Sequence, residues 1–213
     1  MTNSIAGIRK DYSIQSLSEQ DMAPDPIRQF QKWFSEAVNS EVTEVNAMTL
    51  ATCTKEARPD ARIVLLKGVS DEGFAFFTNY ESRKAKEIHE NPFVCLVFFW
   101  KELERQVRIE GTVKVASEAI NDEYFSQRPA KSQISAWSSP QSLVIKDRSV
   151  LEENVAKYEQ QFLDKPVSRP QFWGGYVVSP VIVEFWQGRR SRLHDRIRYT
   201  SDPKGWKIER LAP

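Results

Sequence analysis

"FVCLVFFWKELERQVRIEGTVKVA", residues 93–116, holds two strand-like runs, FVCLVFFW and RQVRIEGTVKVA, parted by four mostly charged residues. Both runs are rich in β-branched and aromatic residues, as a strand packed in a sheet requires. Upstream, AMTLATC (47–53), ARIVLLKGV (61–69) and GFAFFTN (73–79) read the same way, with turn signals at DEG 71–73 and NP 91–92. Downstream come three helical patterns, SEAINDEYFSQ (117–127), KSQISAWSS (131–139) and SVLEENVAKYEQQF (149–162). Strands then return at GGYVVSPVIVEFWQG (174–188), RLHDRIRYT (192–200) and GWKIERL (205–211). Successive strands with few helices between them predict a mainly β fold with flanking helices (α+β), an antiparallel barrel with helices packed outside.

The polar, unpatterned residues 1–23 read as a mobile arm, and 24–213 as one domain. PDP at 24–26 opens an amphipathic helix: Ile27, Phe30, Phe34, Ala37 and Val38 share a face, Asp25 caps, and Pro26 fills the first turn. Charges nearly cancel, 30 Lys+Arg against 29 Asp+Glu, so no global field favours nucleic acid or an anionic membrane. Cys53 and Cys95 sit in apolar runs and read as buried thiols of a reducing, cytoplasmic protein. The N-terminus lacks the apolar core of a signal peptide, and no apolar run reaches membrane-spanning length.

Four stretches carry candidate chemistry. In VEFWQGRRSRLHDRIRY (183–199), a strand over 190–199 would align Arg190, Arg192, His194, Arg196 and Arg198 on one face. Leu193, Ile197, Tyr199 and Asp195 would take the other; alternation alone leaves an anion site level with a solvated edge strand. In TNYESRKAKEIHENP (78–92), Ser82 caps a helix whose first turn carries Arg83 and Lys84, an unfavourable place for cations unless a phosphate sits there. His89, later in that helix, reads as surface. In RIVLLK (62–67) the odd spacing sends Arg62 and Lys67 to opposite faces of a regular strand. Tyr124, Arg128 and Ser132 follow a helical i, i+4, i+8 spacing broken by Pro129, a set suited to phosphate. Phosphate-loop, dinucleotide-fingerprint, nucleophile-elbow and metal-cluster patterns are absent from the sequence. A phosphorylated cofactor together with a phosphorylated substrate is the economical reading.

VEFWQGRRSRLHDR (183–196) resembles the C-terminal signature of pyridoxamine 5′-phosphate oxidases, and RIVLLK, TNYESRKA and WKIERLAP resemble that family's other segments in the same order. The likeness covers almost everything from Pro24 to Pro213. It implies an FMN-binding split β-barrel acting as a homodimer, oxidising pyridoxamine or pyridoxine 5′-phosphate to pyridoxal 5′-phosphate, with O2 as acceptor and H2O2 as product. By matching motifs, Arg62, Ile63, Val64, Leu65, Leu66, Lys67, Phe77, Thr78, Arg83, Lys84 and Gln106 would hold FMN from one subunit. Gln141, Ser142, Trp186 and Arg196 would complete that site from the other. Lys67, Tyr124, Arg128 and Ser132 would grip the substrate phosphate, and Arg192 and His194 would address the pyridine ring and reacting side chain. Arg9 and Tyr12 resemble a lid over substrate. Three alternatives stay open: a phenazine-pathway oxidase of the same fold, against which Lys67 speaks; a non-enzymatic flavin- or haem-binding barrel, against which the substrate set speaks; and a nucleic-acid-binding barrel, against which the near-neutral charge speaks.

Overall fold

The computed structural model describes Ile5 and residues 11–213. Among the described residues nine strands are joined by five α-helices: α1 Pro26–Asn39, β1 Ala47–Cys53, β2 Pro59–Leu65, β3 Gly68–Ser70, β4 Gly73–Asn79, α2 Arg83–Glu90, β5 Phe93–Trp100 and β6 Arg105–Val115. There follow α3 Glu118–Ser126, α4 Ala130–Ser138, α5 Ser149–Gln161, β7 Trp173–Gln187, β8 Asp195–Asp202 and β9 Gly205–Leu211. The strands hydrogen bond in the order β2-β1-β5-β6-β7-β4-β3, while β8 pairs with β7 and β9 with β8. The chain divides into two compact units, one of residues 1–50, 95–111 and 180–213, the other of 51–94 and 112–179.

In the first unit, α1 starts as its sequence dictates: the Asp25 carboxylate accepts from the Ile27 and Arg28 amides, and Pro26 occupies the first turn. Ile27, Phe30 and Ala37 are buried, whereas Val38, assigned to the same face, is exposed near the helix end. Phe30 packs on Phe98 and Trp100, at 5.0 and 5.9 Å between ring centroids, and Trp33 meets Phe185 edge-on. Each such ring taken from water stabilises the fold by about 2 kcal/mol or more. The polar tips are satisfied: Trp100 Nε1 donates to the Val45 carbonyl at 2.9 Å and the Tyr199 hydroxyl to that of Ala23 at 2.6 Å.

Residues 11–22 lie against this unit. Leu17 is buried, and Glu19–Asp21 form one 3-10 turn that the Ser18 and Asp21 side chains close. The expected strand over 190–199 is shorter. Residues 190–192 form a 3-10 turn with φ of 55° at Ser191 and 62° at Arg192, and β8 begins only at Asp195. Arg190 and Arg192 are therefore lifted off the strand, and Leu193 is exposed instead of joining Ile197 and Tyr199 in the core. Two consecutive left-handed residues cannot be continued in a pleated strand.

In the second unit, β4 pairs antiparallel with β7, matching Phe77 to Gly175 and Thr78 to Gly174. A Cβ added at Gly175 would stand 2.8 Å from the Phe77 ring, so glycine is what lets that ring lie flat on β7. Asn121 of α3 fastens the same point, accepting from the Gly175 amide at 2.7 Å. Cys53 and Cys95, expected to be buried, are half-buried free thiols.

Candidate active site

A cavity of about 640 Å³ lies within the second unit. Its wall is assembled from Arg62–Leu65 of β2, Lys67, Phe77 and Thr78 of β4, Lys84 of α2, Tyr124, Gln127, Arg128, Pro129 and Ser132 around the α3–α4 junction, Gln141, and Trp173 of β7. Four cations and no carboxylate stand in that wall among the described residues. Such a set selects an anion.

Three local breaks bring the residues together. β2 ends at Leu65, so strand parity no longer applies at Lys67, and Arg62 and Lys67 line the same cavity in spite of their odd spacing. Leu66 turns the other way and is buried. The helical pattern across 117–139 splits at 127–129, because Pro129 cannot continue α3; Tyr124, Arg128 and Ser132 still reach one cavity. Phe77 stacks on Tyr124 at 4.0 Å and on Trp173 at 5.4 Å, forming an aromatic plate. The Arg128 guanidinium lies over Trp173, 4.6 Å from the ring centre, and its Nη1 is buried without a hydrogen-bond partner among the described residues. Burial holds the Arg128 pKa below its ordinary value. A buried donor left unpaired is costly, and a ligand oxygen would relieve it.

The start of α2 behaves differently from expectation. Ser82 occupies the capping position, yet its hydroxyl donates backwards to the Asn79 carbonyl at 2.7 Å and caps nothing. The two cations of the first turn diverge. Lys84 enters the cavity, its Nζ donating to Gln141 Oε1 at 2.9 Å and to Thr78 Oγ1 at 3.2 Å. Arg83 stays 67% exposed and pairs with Glu87 and Asp60. Arg62 is held from behind by Thr52 Oγ1, Glu87 and Asp60. Burial opposes the Glu87 charge, but hydrogen bonds from Thr52, Arg83 and Arg62 outweigh it and keep the carboxyl pKa below normal. Burial, then the nearby Arg62 charge, pulls the Lys84 pKa down. His89 is exposed, as expected.

Gln141, expected from a second subunit, lies in the cavity of its own chain, bonded to Thr78 and Lys84. Ser142 beside it is exposed, with φ of 70°, and is not in the wall. The sequence reading missed Trp173, Gln127, Thr52, Asp60 and Glu87; only the diglycine at 174–175 hinted that a ring must lie against β7.

The remaining candidates belong to the first unit. Trp186 and His194 rings stand 4.6 Å apart, and Tyr12 approaches both, edge-on to Trp186 at 5.8 Å. His194 Nδ1 accepts from the Arg189 amide at 3.1 Å, which requires a lone pair there. Burial and the Arg192 charge hold the His194 pKa below its usual 6.5, so the ring is neutral at pH 7. Arg196 faces Trp186 across the β7–β8 pair and grips Glu184 through Nε and Nη2 at 2.9 and 3.1 Å. Arg198 pairs with Glu209, and Arg189 with Asp195. The row of cations read from 183–199 is thus largely neutralised by carboxylates. Gln106 is half-buried on β6, and Arg9 lies outside the described residues.

Fold and cavity together define a mainly β protein with a cationic, ring-lined pocket. The family model described as pyridoxamine 5′-phosphate oxidase matches residues 34–162, and that of the pyridoxine 5′-phosphate oxidase C-terminal dimerisation region matches 173–213. Curated relatives named pyridoxine/pyridoxamine 5′-phosphate oxidase include one from Cyanothece sp., 55% identical over 213 residues, and one from Leptospira interrogans, 56% identical over 214, each alignment covering 100% of both chains. The solved structure of Burkholderia lata PhzG in complex with tetrahydrophenazine-1-carboxylic acid is 30% identical, with a TM-score of 0.88 over 94% of this chain and 100% of that one. An FMN-binding protein from Nostoc punctiforme, related to pyridoxamine 5′-phosphate oxidase, shares the fold at a TM-score of 0.70 and 18% identity, covering 90% of this chain and 100% of that one. The chain belongs to the pyridoxine/pyridoxamine 5′-phosphate oxidase family, a family of oxidoreductases with the split-barrel fold.

Proposed function

We propose that the protein oxidises pyridoxamine or pyridoxine 5′-phosphate to pyridoxal 5′-phosphate, using FMN and dioxygen and releasing hydrogen peroxide. The carrying observation is the cavity wall with four cations, no carboxylate and the unpaired buried Nη1 of Arg128. That donor set fits phosphorylated ligands, and the Phe77–Tyr124–Trp173 plate suits a flat ring. Arg62, Ile63, Val64, Leu65, Thr78, Lys84 and Gln141 would hold FMN; Lys67, Tyr124, Arg128 and Ser132 would hold the substrate phosphate. When bound, FMN supplies acceptance of a hydride from the vitamer C4′ and its passage to dioxygen. The protein's contribution is orientation and charge. Arg192 and His194 would address the vitamer ring, His194 as a neutral imidazole. Gln106 would contact FMN from the protomer that supplies Arg62 and Lys84, and Trp186 and Arg196 from its partner, a role supported by the matched dimerisation region and by the exposed apolar Phe93 and Phe99 of β5. The split between subunits is retained in this proposal for those residues only. Tyr12 would close over substrate. Two free thiols support a reducing, cytoplasmic setting, and no helix among the described residues is long and apolar enough to cross a membrane.

Purified protein supplied with FMN and pyridoxine 5′-phosphate in air should form pyridoxal 5′-phosphate and peroxide in equal amounts. No turnover with bound flavin would refute the assignment. In Arg192→Ala, turnover should drop while FMN affinity holds. Losing a cation beside His194 should also raise its pKa towards 6.5, shifting the acid limb of the rate profile to higher pH. An unmoved acid limb would disprove the charge coupling.

A further inference from the structure

Two carboxylates fasten residues 13–17 to their unit. Glu104 Oε2 accepts from the backbone amides of Ser13 at 2.8 Å and Ile14 at 3.1 Å, and Asp195 Oδ2 accepts from that of Leu17 at 3.0 Å. Immediately before the first of these amides, Tyr12 stands against Trp186 and His194. Glu104 is 3% exposed, and its own carbonyl accepts from the Gly188 amide at 2.8 Å and from Gln187 Nε2 at 3.2 Å. One residue therefore ties both the arm and the end of the strand that carries Trp186. Glu104 does this at φ of 54°, a left-handed conformation that glycine adopts more cheaply. The side chain spends none of its bonding on its own turn; its partners are 90 and 91 residues away in sequence. A strained backbone and a buried charge, both aimed at a distant main chain, mark a built contact.

We propose that Glu104 is a positioning residue whose carboxylate latches the backbone at residues 13 and 14 and so holds Tyr12 against Trp186 and His194. Asp195 anchors the next point along the arm, while Arg189 and Arg210 hold its carboxylate in place. The kinetic consequence rests on the proposed oxidase reading; the latch itself does not.

Glu104→Gly tests this, because glycine accepts the left-handed backbone while the side chain and its carboxylate are removed. In the full chain, hydrogen exchange at the Ser13 and Ile14 amides should quicken by roughly tenfold or more. In the FMN-loaded enzyme, KM for pyridoxine 5′-phosphate should rise roughly tenfold, with kcat little altered by comparison. Glu104→Gln, which keeps an acceptor oxygen, should recover part of both. On a Tyr12→Ala background the Glu104→Gly change should add almost nothing to KM, since the latch acts through Tyr12. Unchanged exchange at residues 13 and 14, or a full KM increment on that background, would overturn the proposal. Failure of the wild type to oxidise the vitamer would refute the oxidase reading instead, and the exchange measurement would still decide the latch.

Discussion

Arg128→Ala should raise KM for pyridoxine 5′-phosphate by roughly 100-fold, about 3 kcal/mol, while flavin remains bound. The guanidinium stands over the Trp173 ring, and its buried Nη1 has no hydrogen-bond partner among the described residues. The desolvation cost is therefore borne already in the free protein, so a phosphate oxygen can collect the whole hydrogen bond. Removing an unsatisfied cation should leave the melting temperature of the ligand-free protein unchanged or higher, a trade of stability against function. Arg128→Lys should restore little, because an ammonium does not present a planar fork to the phosphate. Steady-state kinetics and a thermal melt check both halves. A lower melting temperature with normal KM would show Arg128 to be a structural cation.

Lys84→Ala should weaken FMN affinity by roughly 30-fold, about 2 kcal/mol, as read by the quenching of flavin fluorescence on titration. Lys84 Nζ is the donor that joins Gln141 and Thr78 inside the cavity, so its loss removes a charge and frees two neighbours. Its pKa lies below that of an ordinary lysine, through burial first and Arg62 second. A lysine is charged below its pKa. Wild-type affinity for the cofactor phosphate should accordingly fall as pH rises into the range where Lys84 deprotonates, and the variant should lack that decline. Equal affinities for wild type and variant across pH would remove Lys84 from the cofactor site. Arg83, paired outside the cavity with Glu87 and Asp60, should affect FMN affinity far less on truncation.

The strand pattern was legible in the sequence because each strand buries one face, which writes an alternation into neighbouring residues. AMTLATC, GFAFFTN, FVCLVFFW and GWKIERL coincide with β1, β4, β5 and β9 end to end. The α1 start was equally local, since the Asp25 carboxylate caps amides only two and three residues ahead of it. That Tyr124, Arg128 and Ser132 share one cavity was also readable from spacing, although Pro129 breaks the helix that justified it.

What sequence could not decide was which cations are free. Residues 183–199 appeared as a row of positive charge because the carboxylates that answer it are not its sequence neighbours: Glu184 lies 12 residues from Arg196 across the β7–β8 pair, and Glu209 answers Arg198 from β9. Arg83 and Lys84 are adjacent in sequence yet part company, one towards Glu87 and Asp60, the other into the cavity. Trp173 and Gln141 reach the cavity from strand and loop positions no periodicity marks. Local pattern encodes which residues are buried and which residue types can bind an anion. Charge compensation depends on pairings that strand and helix packing create, and only the folded chain determines which guanidinium is left without a partner.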